Sequence, residues 1–164
     1  MRTYNVITIT PKDSLYPKDL LDKGICFDLH AAGDLSLLNS KKVLSYDTCR
    51  FYDDEHRKLL TRTRLYVEQG YTIVREFGSR VDYSIHRKAY QCGGKTIAIV
   101  MDWQNKLIPS LIECGGLAVS ALSREDHALI VKMHLNSLLK QEWIDEAFSL
   151  GEGVSLEGKE LDEF

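Results

Sequence analysis

The chain has 164 residues, 44% of them hydrophobic and 27% charged, with a formal net charge of −3. That length suits one domain with a real core, and the composition is that of an ordinary globular protein. No run approaches the roughly 18 apolar residues of a membrane-spanning helix. The start, "MRTYNVITITPKD", lacks the apolar region and cleavage site of a signal peptide, so a cytoplasmic protein is expected.

In chain order, "NVITI" reads as a first strand. "YPKDLLDKG" reads as a short helix that starts near Pro17 and stops at Gly24. "GICFDLHAAGDLSLLN" reads as a strand followed by a turn or short helix, and "KKVLSY" as a strand. "DDEHRKLLTRTRLYVEQG" is helical: acids fill its first turn, Leu59, Thr63, Tyr66 and Val67 form a stripe, and Gly70 ends it.

"YTIVREF" is the next strand, and "RVDYSIHRKAYQC" the next helix, stopped by Gly93-Gly94. "KTIAIVM" is apolar throughout, as expected of a strand covered on both faces. "QNKLIPSLIEC" is a helix beginning near Ile108 because of Pro109, and Gly115-Gly116 stops it before the strand "LAVSAL". A long helix is expected from Ser123 through Phe148, with Asp126 in capping-box position. Alternating strands and helices from Lys42 predict an α/β domain, residues 1–148, with a mainly parallel sheet. Residues 149–164 are expected to be a loose acidic tail. The segment from Glu142 onward carries eight acids against one base, Lys159, which leaves the body with 20 bases and 16 acids.

The chemistry-bearing residues gather at the predicted C-terminal strand ends: "SYDTCR", "REFGSRVD", "VMDWQN" and "SALSRED". Ligands of open α/β sheets bind there. Gly78-Ser79-Arg80 leads into a helix, which suits either an anion held by free N–H groups or a plain serine-capped turn. Asp82 and His86 share a helix face, either as an orienting pair or as structural residues; no nucleophile stands beside them.

Arg50, Arg75 and Arg80 lie at strand ends near Tyr46, Phe51, Tyr52, Phe77 and Trp103. That mixture suits contact with a nucleic-acid backbone and stacking on bases, or else simply surface charge over core aromatics. Cys26, Cys49, Cys92 and Cys114 are widely spaced beside apolar segments and read as buried reduced thiols. Neither metal nor cofactor is expected, since zinc spacing, GxGxxG, GxxxxGK[ST] and GxSxG are all missing.

"TIVREFGSRVDYSIHRKAYQCGGKTIAIV" resembles, without a gap, the pattern "vvSGlAxGID..aH..AL..GG.TiaVl" of the DprA/Smf family of DNA-processing proteins. Asp82 and His86 fall on that family's Asp and His. Ala89-Tyr90 fall on its Ala-Leu, and Gly93-Gly94 with Thr96 on its "GG.T". "LYPKDLLD", "LHAAGDLSLLNSKKV" and "LIECGGLAVSAL" extend the resemblance over residues 14–122. The departures are "REFG" for "SGLA", Ser79-Arg80 where the family carries a base and a glycine, and "DTCR" for "GSR".

The resemblance implies a Rossmann-like three-layer sandwich, single-stranded DNA binding, dimerisation and loading of a RecA-type recombinase. On this reading the protein is non-catalytic. Arg50, Arg75, Arg80 and Lys95 would meet phosphates, Phe77 or Tyr52 would stack on bases, and Gly78, Ser79, Asp82 and His86 would shape the loop. The alternative is a nucleotide or nucleotide-derived ligand, bound or hydrolysed in the same place. A third reading is a scaffold that uses the long C-terminal helix as a partner or dimer face.

Overall fold

The computed structural model describes residues 4–46, 53–121, 136–137, 139–140 and 143–148. Its strands are β1 (Ile7–Ile9), β2 (Leu29–Gly33), β3 (Lys42–Ser45), β4 (Thr72–Glu76), β5 (Thr96–Ile99), β6 (Leu117–Ser120) and β7 (Ala147–Phe148). Its helices are α1 (Lys18–Asp22), α2 (Asp53–Glu68), α3 (Arg80–Gln91) and α4 (Ile108–Glu113), and a 3-10 turn spans Leu35–Asn39. Asn136, Ser137, Leu139, Lys140 and Trp143 are also helical.

The strands form one seven-stranded sheet in the order β1-β2-β6-β5-β4-β3-β7. From β6 to β7 every pairing is parallel, and β2 and β1 are added antiparallel at one edge. The expected α/β sandwich with a mainly parallel sheet is therefore observed.

Alternate strand residues feed opposite layers. Val74, Ile97, Ile99 and Val119 pack with Tyr16, Leu20, Leu37, Leu38, Leu139 and Trp143 on one face. Val43 and Ile73 pack with Leu59, Tyr66, Ile85 and Ala89 of α2 and α3 on the other, where Ala98, Val100 and Ala118 meet α4. Burying one such side chain is worth roughly 2 kcal/mol. A surface pair such as Arg64–Glu68, at 4.0 Å, contributes less than about 0.5 kcal/mol, so the two apolar layers decide the fold.

Each of these four helices ends on a glycine with φ between +79° and +87°: Gly24, Gly70, Gly93 and Gly115. Behind α3, Gly94 N–H donates to the Ala89 carbonyl at 2.8 Å and Gly93 N–H to that of Tyr90 at 3.0 Å. The other three helices repeat this pattern, in which a left-handed residue closes the last carbonyls.

Two expectations need correction. Ala147 and Phe148 do not continue a helix; they pair with Leu44 and Ser45 of β3, and Phe148 stacks on Tyr66 with ring centroids 4.6 Å apart. Cys26 and Cys114 are exposed rather than buried, because one lies in the loop before β2 and the other caps α4; Cys92 is half-buried. Ser123, Asp126, Cys49 and the 149–164 segment lie outside the described residues.

Candidate functional site

A cleft of about 470 Å³ opens beyond the C-terminal ends of β3 and β4, lined by Leu44, Ser45, Tyr46, Arg75, Glu76, Asp82, Ser137 and Lys140. Its walls come from both layers: α3 supplies Asp82, and the helical segment on the opposite face supplies Ser137 and Lys140. Asn136 fixes that segment against the sheet. Its Oδ1 accepts from Ala121 N–H at 2.9 Å, and its Nδ2 donates to the Val100 carbonyl at 3.1 Å.

The loop from β4 to α3 is organised by Asp82. One carboxylate oxygen accepts from Gly78 and Ser79 N–H, both at 2.9 Å. The other accepts from Arg75 Nε at 2.9 Å. Ser79 Oγ accepts from Asp82 N–H at 3.1 Å, completing a capping box. Arg75 Nη1 reaches Ser45 Oγ at 3.0 Å, tying β4 to β3. Burial would raise the Asp82 pKa, but the Gly78 N–H, the Arg75 charge and the Ser79 donors outweigh it and hold the carboxyl below the usual range.

His86 belongs to a separate buried chain. Its Nε2 lies 3.2 Å from the Glu76 carbonyl, which can only accept, so Nε2 carries the proton. Burial drives the imidazole pKa down to about 4, beyond what the Glu76 carbonyl and the Asp82 charge restore, so the ring is neutral near pH 7. Nδ1 is then an acceptor, filled by Thr96 Oγ1–H at 2.8 Å, and the Thr96 oxygen pairs with the Tyr90 hydroxyl.

No protein-family model matches the chain, and no curated protein sequence matches it. Solved structures do. DNA processing protein A (DprA) from Streptococcus pneumoniae superposes with a TM-score of 0.69 at 20% identity, over 87% of this chain and 53% of that one. The chain has the DprA fold. DprA from Helicobacter pylori, described for its single-stranded DNA binding mode, gives a TM-score of 0.62 at 20% identity, over 88% and 67% of the two chains. The chain thus spans about half the length of the S. pneumoniae protein.

Within this DprA-like frame, Arg75, Glu76, Gly78, Ser79, Arg80 and Asp82 gather at one edge, and Arg80 is exposed there. Asp82 and His86 are both buried on α3, but they do not form the orienting pair considered from their spacing. Asp82 turns to the loop, while His86 turns to β5 and to the Glu76 carbonyl.

Arg75 is only 2% exposed, and its charge is met by Asp82. Phe77 is buried edge-on against Tyr83 and His86, which turns it from a stacking platform into core. Lys95 precedes β5, in register with Thr72, and so stands at the opposite end of the sheet, beside the Cys114 carbonyl. Arg50, Phe51 and Tyr52 lie outside the described residues.

The residues not anticipated from sequence are Ser45, Ser137, Lys140 and Asn136. Ser45 ends a strand whose serine carried no motif, and the others arrive from a helical segment 60 or more residues beyond β4. Among the described residues, no three His, Cys, Asp or Glu side chains cluster as a metal site requires, and no helix is long and apolar enough to cross a membrane.

Proposed function

We propose that the chain binds single-stranded nucleic acid, without catalysing a reaction, along the edge that holds the β3–β4 cleft. The observation that carries this reading is the cleft itself, at the C-terminal strand ends of a DprA-like sheet, with Tyr46 in its lining and Lys140 at its side. Tyr46 supplies an aromatic surface for a base, and such stacking is worth about 1–3 kcal/mol per base. Arg80, exposed at the loop, and Lys140 supply cations for phosphates.

The charge balance sets the strength. Arg75 is matched by Asp82 and Lys140 by Glu76, so among the described residues of the cleft few cations remain for phosphates and binding is weak. With about two phosphate contacts, the affinity for a single strand falls with a log–log salt slope near −1.4. The test is fluorescence anisotropy of a labelled strand of about 12 nucleotides across a salt series. Arg80→Ala should weaken binding and flatten the slope by about 0.7. Absence of binding at low salt, or an Arg80→Ala variant indistinguishable from the parent, refutes the reading.

A second reading, one bound mononucleotide, is favoured by the cleft volume of about 470 Å³, which lies in the range of small-ligand sites. A thermal-shift series with nucleotides separates the two. Stabilisation of about 2.7 kcal/mol at a hundredfold excess over Kd selects the mononucleotide. The family likeness extends the first reading to a cytoplasmic homodimer acting with a RecA-type recombinase in DNA uptake and recombination.

A further inference from the structure

Two carboxylates face the cations of the cleft, and they are held very differently. Asp82 has a 9% exposed side chain and accepts from Arg75, Gly78 and Ser79, so it is built into the loop. Glu76 has a 56% exposed side chain, and its carboxylate is met by Lys140, reaching across from the other layer. Both Glu76 and Lys140 line the cleft. The contact therefore spans the mouth of the site, from the end of β4 to the helical segment. An exposed ion pair of this kind contributes little to folding. It nevertheless keeps a cation from any incoming anion and sets a negative charge where that anion must pass.

We propose that Glu76 is a displaceable guard on Lys140. Taking the cleft as a strand-binding site, a backbone phosphate must draw the Lys140 ammonium away from the Glu76 carboxylate in order to bind. Glu76 occupies Lys140 in the free protein and is left facing solvent in the complex. Asp82 plays no part in this exchange, because removing it would leave the buried Arg75 guanidinium without its counter-charge. Glu76 thus sets affinity and anion selectivity at a position that contributes nothing to the core.

The experiment is a double-mutant cycle on strand binding with Glu76→Gln and Lys140→Met, using a labelled oligonucleotide. Glu76 is exposed and Lys140 half-buried, and thermal melting of each variant checks its fold. Removing Glu76 takes away a repulsion in either background, but it releases a cation only where Lys140 is present. Glu76→Gln should therefore tighten binding about tenfold in the parent chain and by no more than about threefold beside Lys140→Met, a difference of the size one exposed pair supplies. Lys140 meets a phosphate in both the parent and Glu76→Gln, so the salt slope stays near about −1.4 in each and flattens by about 0.7 only with Lys140→Met.

Equal tightening in both backgrounds, or none in either, overturns the guard while leaving the binding reading intact. Failure of the parent and every variant to bind the strand at low salt overturns both.

Discussion

Arg75 and Asp82 are seven residues apart and meet as a buried pair at 2.9 Å, and the loop from β4 to α3 takes its shape from that contact. Removing one member of a buried pair strands the other. Asp82→Ala should therefore cost about 3–5 kcal/mol in urea unfolding, and a cost below about 1 kcal/mol would show that the pair does not hold the loop. His86 gives a prediction with a definite sign. Its folded pKa, about 4, lies below the ordinary 6.5, so between those values the unfolded chain binds more protons. Its contribution is fully present above about pH 6.5 and is lost as the pH falls toward 4. The loss amounts to about 3 kcal/mol, and His86→Gln should flatten that part of the stability curve. Asp82, whose pKa is depressed, adds a further loss as its own carboxylate protonates below the ordinary range. The spacing of Asp82 and His86 was legible in the sequence because i and i+4 share a helix face. Their partners were not, since Arg75 comes from β4 and Thr96 from β5.

Helix stops were the most legible elements, because a glycine that takes positive φ acts within its own turn. Gly24, Gly70, Gly93 and Gly115 all end helices where the sequence placed their ends. β7 was invisible for the opposite reason. Its two residues become a strand only by pairing with β3, about 100 positions earlier, and nothing local interrupts the helical pattern before them. β2 shows how close elements come. A Cβ on Gly33, at φ +120°, would lie 2.3 Å from the Gly116 carbonyl oxygen beside the β2–β6 ladder. Gly33→Ala should cost more than about 2 kcal/mol, through backbone strain and the displaced strand together. Chemical denaturation measures it, and a neutral result would mean that the two strands part without penalty.

At the scale of the molecule, β3, β4, β5 and β6 lie side by side in sequence order, while β7 returns beside β3. The alternation of strands and helices made the α/β class readable, but strand order at the edges depends on contacts that no local pattern carries. Lys95 illustrates this. The sequence sets it just past a double glycine near other bases, whereas a parallel strand places it at the far end of the sheet from Arg80. The β7 edge also closes a core layer. Phe148 is fully buried against Tyr66, and Phe148→Ala should cost about 3–5 kcal/mol by opening a cavity there. A loss below about 1 kcal/mol in guanidinium unfolding would show that the edge strand rides on the sheet without supporting it.

The helix-to-strand links are three, four and three residues long (69–71, 92–95 and 114–116), while the link from β5 to α4 takes eight (100–107). Short links pulled tight by glycine leave one rim of the sheet no slack; at the other rim the β4–α3 link is just as short (77–79), and the slack lies in the β5–α4 link. New residues can be written into that long link without retuning the frame beneath it. "REFG" lies on the stiff side of that division: Arg75 and Phe77 are buried, and Arg75 is bound to Asp82 and Ser45, so a change there has to bring its own partners with it.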